Sequence, residues 1–137
     1  MNSPHSLNST NSRNSKNPSN STNSRNSKNP SNSTNSIVVL ITAGSEEEGR
    51  KIAGLLVKEK KAACVNILPG VESLFRWKGR IDSARECLLL VKTRASLLPE
   101  IIRLVKGIHS YELPEIIALP ITGGSEDYLS WLDSTCQ

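Results

Sequence analysis

The chain has 137 residues and a formal net charge of +4, with a pI near 9.1. Eleven Asn and twelve Ser fall within the first 36 residues, and this tail carries the whole excess of positive charge, since residues 37–137 hold 13 basic and 13 acidic side chains. The basic pI therefore gives no support for a nucleic-acid-binding domain, and the remaining residues leave room for one small domain, residues 37–137, and exclude a second.

Residues 1–36 form a twelve-residue repeat, in which the letters NSTNSRNSKNPS occupy residues 8–19 and again residues 20–31. So few apolar side chains cannot offset the entropy lost on ordering, and the tail is expected to be disordered. A Ser-rich, Arg-containing segment without acids also fits an organelle transit peptide. The tail lacks amphipathic periodicity, however, and this favours a segment that drifted by repeat expansion.

The folded part opens with a short β-branched apolar run, Ile37–Ile41, which predicts a strand covered on both faces. Ser45 followed by Glu48 has the spacing of a capping box, and acids fill the first turn, where the helix dipole favours them. Apolar residues then recur at helical spacing as far as Lys61. The sequence therefore predicts a strand, a turn and a helix.

From Ala62 to Trp77 the apolar period changes to two, which predicts a long strand with a bulge at Pro69-Gly70. A turn at Lys78–Arg80 follows, and the unbroken apolar run within Glu86–Thr93 predicts a buried strand that returns beside the first. The arms of this hairpin are longer than a small domain needs, so their overhang indicates an oligomer that adds strands across subunits.

The last third predicts a helix over Ser96–Ile108, a loop over His109–Pro114, a strand over Glu115–Ile121 and a short helix capped near Ser125. The order βαββαβ with a C-terminal helix is that of the α+β ferredoxin-like sandwich, in which two helices cover one face of a four-stranded antiparallel sheet.

Three cysteines, Cys64, Cys87 and Cys136, contain no C-x-x-C pair. An odd count without such spacing argues against a disulfide framework or a zinc knuckle and favours a reducing cytoplasm. Cys87 fits a core position, whereas Cys136, near the end, is expected to be mobile. No apolar stretch approaches the eighteen or so residues of a membrane span, so no membrane association is expected.

Several short segments together resemble the CutA family of divalent-cation tolerance proteins, from about Ile37 to Leu132. They are EKKAACVN (59–66), LPGV (68–71), FRWKG (75–79), VKT (91–93), HSYELPEIIALP (109–120) and DYLSW (127–131). The resemblance implies a ferredoxin-like subunit in a tight homotrimer similar to the PII signalling proteins, with a role in copper tolerance in bacteria and copper binding in some members.

The chain departs from the family pattern at three positions. Ile41 stands where some bacterial members carry a cysteine associated with copper, and an alkyl side chain ligates nothing. Ser110 and Phe75 stand where many members have Pro and Tyr. The departures leave the fold expectation intact and predict that Cu(II), or another divalent cation, is bound only weakly.

His109 and Glu112 are the candidate metal ligands, because imidazole nitrogen and carboxylate oxygen suit Cu(II) and a short loop holds them together. An exposed loop histidine beside a glutamate is also often merely solvated. Loops of neighbouring subunits would supply the missing ligands.

Five further residues stand near the ends of elements, where a ligand cleft between subunits would form: Cys64, Lys92, Tyr111, Glu115 and Trp131. Lys92 can hold an anion and Trp131 can form an aromatic wall, although an interface ion pair and a packing role fit equally well. Cys64 fits a small buried hydrophobe, with a soft ligand or a reactive thiol as the alternative.

The sequence contains no Gly-rich phosphate loop, nucleophile elbow or H-E-x-x-H motif, and no cluster of aromatic residues for RNA. A non-enzymatic protein without an organic cofactor or a nucleic-acid partner is therefore expected. Its function is either copper tolerance as a metal-binding trimer, or the action of a PII-like trimer that senses a small anionic ligand or serves as a scaffold for partner proteins.

Overall fold

The computed structural model describes residues 35–137, so the expectations for the tail lie outside the described residues, and β1 begins at Ser36. The elements follow in chain order: β1 (Ser36–Ala43), α1 (Glu46–Lys58), β2 (Cys64–Trp77), β3 (Arg80–Arg94), a turn of 3-10 helix (Ala95–Leu97), α2 (Leu98–Ile108), β4 (Ile116–Pro120) and α3 (Glu126–Thr135). The predicted α+β order is confirmed.

The four strands form one antiparallel sheet in the order β2-β3-β1-β4. Val39 on the central strand β1 is paired with Val91 of β3 and with Ala118 of β4. Apolar residues of α1 and α2 pack with alternate strand residues in one core on one face of the sheet: Val39, Ile41, Ile52, Leu56, Leu89, Val91, Ile101 and Val105. This is the ferredoxin-like arrangement.

Because side chains alternate along a strand, the intervening residues point to the opposite side of the sheet. We call that side the open face and define it by the apolar residues Val38, Leu40, Leu88, Leu90, Ile117 and Leu119. All six are half-buried or exposed, in contrast to the sealed core beneath α1 and α2.

The long hairpin between β2 and β3 contains the predicted bulge. Pairing of Leu68 with Leu88 gives way to pairing of Val71 with Glu86, and Gly70 within the bulge has a φ of +74°, which favours glycine. At the tip, Lys78 and Gly79 have φ values of +50° and +77°, as in a two-residue type I′ turn.

This turn lets pairing resume at once, so β3 begins at Arg80 rather than at the predicted Glu86. The extra residues lack a continuous apolar run. Their extended conformation comes from pairing with β2 rather than from their own pattern.

α1 is capped as the sequence predicts, since the Ser45 side chain accepts a hydrogen bond from the Glu48 N–H at 3.1 Å. The helix ends at Lys58, three residues before the predicted Lys61. Gly49 sets its distance from the sheet, because a Cβ atom there would lie 2.6 Å from the Cys87 sulfur. A side chain at this position would therefore force α1 away from β3.

The expectation of a mobile C-terminus is wrong. Cys136 is only 4% exposed, and its sulfur lies 3.8 Å from the Thr93 hydroxyl. The next residue, Gln137, donates its backbone N–H to the Lys60 carbonyl at 2.8 Å, and Lys61 Nζ donates to its carbonyl at 3.1 Å. These contacts tie the chain end to the turn between α1 and β2.

Candidate functional site

Polar side chains gather in two places at opposite ends of the sheet. The first group, the histidine cluster, consists of Thr42, Glu48, Glu86, His109, Ser110 and Tyr111. The second, the thiol–amine cluster, consists of Cys64, Asn66, Lys92 and Tyr128. Glu86 and Lys92 are six residues apart on β3, which places the two clusters about 20 Å from each other.

His109 follows α2 and is held by two hydrogen bonds. Its Nδ1 accepts from the Tyr111 N–H at 3.0 Å, which assigns the proton to Nε2, and Nε2 donates to the Thr42 carbonyl at 2.8 Å. The side chain has no exposed area. Both ring nitrogens are therefore already hydrogen-bonded within the chain.

Glu48 joins the first turn of α1 to the loop after α2. Its carboxylate accepts from the Ser110 N–H at 2.7 Å, from the Ser110 hydroxyl at 2.9 Å and from the Gly44 N–H at 3.2 Å. Burial raises the pKa of Glu48, but the hydrogen bonds from Ser110 and Gly44, with a contribution from His109, outweigh it and hold the pKa below 4.5. The loop is thus fixed by a carboxylate that stays ionised.

Tyr111 completes the cluster by donating its hydroxyl to Glu86 at 2.7 Å. Burial raises the pKa of Tyr111 to about 12, and the hydrogen bond from its hydroxyl and the negative charge of Glu86 act in the same direction. Glu115 lies beside this cluster and accepts from the Thr42 hydroxyl at 3.4 Å, a long hydrogen bond. Glu112 is exposed.

This geometry does not fit a metal site at His109 and Glu112 within one chain. Metal coordination needs a free imidazole lone pair, whereas the one on Nδ1 already accepts a hydrogen bond. Within residues 35–137, no group of three or more His, Cys, Asp or Glu side chains is placed to hold a metal ion. Metal binding at these two residues stays a prediction.

The thiol–amine cluster is built on directly opposed residues of β2 and β3. Cys64 is paired with Lys92, and Lys92 Nζ lies 3.7 Å from the Cys64 sulfur while also donating to the Asn66 side-chain oxygen. Both Cys64 and Lys92 are half-buried. The cluster therefore brings a thiol and an amine together at the open face.

α3 lies over this end of the sheet and supplies aromatic side chains. Burial raises the pKa of Tyr128, and the neighbouring Cys64 raises it further. The Tyr128 and Trp131 rings lie 5.3 Å apart between centroids, and both side chains are exposed. In the same helix Leu132 is buried and Leu129 is half-buried, so these two leucines attach α3 to the domain.

The five residues of the predicted ligand cleft therefore lie in two separate groups within one chain. Cys64, Lys92 and Trp131 lie at one end of the sheet, whereas Tyr111 and Glu115 lie at the other. Three residues of the two clusters were not predicted as site residues from the sequence: Glu48, Asn66 and Tyr128. Asn66 could have been predicted, because it lies two residues after Cys64 and therefore on the same face of the same strand.

Comparison with known proteins identifies related chains over the described domain. Residues 37–135 match the family model described as CutA1 divalent ion tolerance protein. Protein CutA, chloroplastic, of Arabidopsis thaliana is 52% identical over 100 residues, covering 73% of this chain and 55% of that protein. The divalent-cation tolerance protein CutA of Thermus thermophilus is 53% identical over 95 residues, covering 69% of this chain and 92% of that protein.

Solved structures show the same similarity. The crystal structure of CutA1 from Oryza sativa has a TM-score of 0.74 at 46% identity and covers 77% of this chain and 97% of that chain. The structure of the periplasmic divalent cation tolerance protein CutA from Archaeoglobus fulgidus has a TM-score of 0.72 at 43% identity, with coverages of 74% and 99%. The chain spans about half the length of the plant relatives it matches.

The predicted cytoplasmic location is contradicted by these names, since the Arabidopsis thaliana and Oryza sativa relatives are named chloroplastic and the Archaeoglobus fulgidus protein periplasmic. Three free cysteines fit a reducing environment but do not distinguish one reducing compartment from another. Across residues 35–137, none of the helices is long and apolar enough to span a membrane.

The motif blocks occur in family order, the sheet is ferredoxin-like, and the match covers nearly all of the described residues. The chain belongs to the CutA1 divalent ion tolerance protein family.

Proposed function

We propose that this chain is a non-enzymatic protein of divalent-cation tolerance that acts as a homotrimer. Family membership supports the tolerance role, since related proteins carry that name. The open face supports the assembly. No organic cofactor, nucleic acid or membrane partner is part of the proposal.

The open face is the structural observation that carries the proposal. Ile117 is 44% exposed and Leu119 is 51% exposed, although both lie on a strand of a four-stranded sheet beside half-buried Leu40, Leu88 and Leu90. Contiguous apolar patches of this kind mark interfaces rather than free surface. Further copies of the chain would cover the face, and the number three follows from the family resemblance.

The far half of the long hairpin supports assembly as well. Leu74 and Ile81, beyond the bulge, are 70% and 69% exposed, and the outer edge of β2 has no neighbouring strand in the described chain. Unpaired edges of this length favour strand pairing with another chain. A trimer that adds strands across subunits would satisfy both the apolar side chains and the unpaired backbone groups.

Light scattering on the full chain tests the assembly, with a trimer as the expected result. Leu90→Glu places a charge on the open face and should abolish the trimer, whereas Leu113→Glu, at an exposed loop position, should leave it intact. A wild-type monomer at micromolar concentration would contradict the proposal.

For cation binding, we propose weak association with Cu(II) or another divalent cation, using ligands from more than one subunit. Calorimetric titration of Cu(II) into the full chain should give a Kd in the micromolar range or weaker, on the order of −8 kcal/mol. His109→Ala and Glu112→Ala should each weaken it, and binding should decline as the pH falls, because a protonated imidazole has no lone pair for a metal. Stoichiometric nanomolar binding would contradict the weak site, and the absence of binding would leave tolerance without direct cation contact.

A second candidate function is sensing of a small anion at Lys92. The amino group lies at the open face near Tyr128, and Trp131 is adjacent to Tyr128, so charge and aromatic surface occur together. Lys92→Ala should abolish anion binding, while His109→Ala should have little effect on it. The opposite pattern would favour the cation. If neither Lys92→Ala nor His109→Ala changes the binding of the anion or the cation, the scaffold role would be favoured.

A further inference from the structure

We propose that Cys64 and Lys92 form an acylation site, in which the Cys64 thiol takes a short acyl group from an acyl thioester and passes it to the Lys92 amine. The site requires no metal, and it does not depend on the tolerance function.

The backbone fixes the two residues opposite each other. Cys64 and Lys92 are an antiparallel cross-strand pair, and the N–H of the adjacent Ala63 donates to the Lys92 carbonyl at 3.0 Å. Their side chains point to the same face, with Nζ 3.7 Å from Sγ. An acyl group on this sulfur would therefore lie within reach of this nitrogen without any movement of the backbone.

Accessibility separates Cys64 from the other cysteines. Cys64 is half-buried, whereas Cys87 and Cys136 are buried. Burial raises the pKa of the Cys87 thiol, and Cys136 contacts the Thr93 hydroxyl rather than an amine. Among the three thiols of the chain, Cys64 alone is half-buried rather than buried, and it has a lysine amine at its sulfur.

The transfer balances in two steps. In the first, the Cys64 thiolate attacks the carbonyl carbon of the acyl thioester; a new C–S bond forms, the donor's C–S bond breaks, and the donor thiolate leaves and takes up the proton that Cys64 lost. In the second, unprotonated Lys92 Nζ attacks the same carbon. The C–N bond forms, the bond from carbon to Cys64 breaks, and a proton from nitrogen passes to the sulfur. The products are an amide on Lys92, a free donor thiol and the restored Cys64 thiol.

Proximity explains why Lys92 would react in preference to exposed lysines. Held beside the acylated sulfur, its amine reacts intramolecularly, and such arrangements replace a dilute bimolecular collision with a high effective concentration. The Asn66 side-chain oxygen also binds the amino group and holds it on this face. Exposed Lys58 and Lys106 serve as internal controls because each must react with the thioester directly.

The experiment incubates the full chain with acetyl-coenzyme A at pH 8 and maps acetylated residues by mass spectrometry over time. Lys92 should be acetylated at least about tenfold faster than Lys58 or Lys106. In Cys64→Ser its rate should fall to that of the two controls, whereas Cys136→Ser should leave it unchanged. Thermal melts establish that each variant is folded.

Lys92→Arg provides a second readout, because it retains the charge and removes the acyl acceptor. The acetyl group should then accumulate on Cys64 as a thioester that hydroxylamine cleaves. The proposal is overturned if Lys92 reacts no faster than Lys58 in the wild type, if Cys64→Ser leaves its rate unchanged, or if Lys92→Arg accumulates no thioester.

Discussion

The two ends of the sheet differ in how far their polar groups are shielded from solvent. At the histidine cluster, imidazole, carboxylate and phenol all bind one another or the backbone, and the His109 side chain is sealed from solvent. At the thiol–amine cluster, Cys64 and Lys92 are half-buried, and the aromatic side chains beside them are exposed.

This difference distinguishes polar groups that are buried and hold the fold together from polar groups that are only half-buried. His109 is the residue type most often associated with metal binding, yet here it connects the loop after α2 to β1. Lys92 and Cys64 are less diagnostic residue types, but both are only half-buried. In this domain, burial rather than residue type distinguishes the two clusters.

The largest expected effect is that of His109→Ala. The change leaves the Thr42 carbonyl and the Tyr111 N–H without their partner and opens a cavity, so the free energy of unfolding should fall by about 3 kcal/mol. Denaturant unfolding at a fixed protomer concentration measures it. Glu112→Ala is the matched control and should change stability by less than about 0.5 kcal/mol. Equal effects of the two changes would show that the hydrogen bonds of His109 do not stabilise the domain.

Glu48→Gln should cost less, about 1–2 kcal/mol at pH 7, because it removes the charge from the hydrogen bonds with Ser110. Since the folded-state pKa of Glu48 lies below 4.5, its stabilising contribution is present above that pH and is lost as the pH falls through the folded value. Stability measured from pH 7 down to pH 3 should therefore decline more steeply in the wild type than in Glu48→Gln. Parallel curves would show that the carboxylate is not coupled to the loop.

Each cluster contains one tyrosine, so the same substitution can be compared in both. Tyr111→Phe loses the hydrogen bond to Glu86 and should cost about 1 kcal/mol, whereas Tyr128→Phe, at an exposed position, should stay within about 0.5 kcal/mol. Because the folded-state pKa of Tyr111 is about 12, against an ordinary value of 10.0, its contribution should be lost as the pH rises from 10 through 12. In an absorbance titration of phenolate, the group that ionises near pH 12 should be absent from Tyr111→Phe.

The smallest effect is expected for removal of residues 1–35. This segment has almost no apolar side chains, so its deletion should leave the melting temperature and the oligomeric state essentially unchanged. Differential scanning calorimetry and light scattering measure these. A drop of more than a few degrees would show that the segment stabilises the domain.

Local patterns predicted most of the fold, and they failed where distant contacts decide the conformation. Apolar periodicity identifies β1, α1, α2 and β4 to within a few residues. The first part of β3 lacks such a pattern, because its conformation is imposed by pairing across the type I′ turn at Lys78-Gly79. Cys136 likewise gives no local signal, since its burial depends on Thr93, 43 residues away.

The candidate site was less predictable for the same reason. Glu48 could be identified from its capping position, but its contact with Ser110 spans 62 residues, and the hydrogen bond between His109 and the Thr42 carbonyl spans 67. The proximity of Cys64 and Lys92, by contrast, follows from the hairpin register once the bulge at Pro69-Gly70 is placed. Sequence therefore predicts cross-strand neighbours better than contacts made by loops.

The close approach of α1 to β3 limits which sequences this domain accepts. Alanine is favoured over glycine in a helix by about 1 kcal/mol, yet at Gly49 the added methyl would meet the Cys87 sulfur. The helix preference and the packing requirement therefore oppose each other, and a larger residue at position 49 becomes acceptable only when the residue at position 87 becomes smaller. Among natural relatives these two positions should vary together, because their combined size sets the distance between α1 and β3.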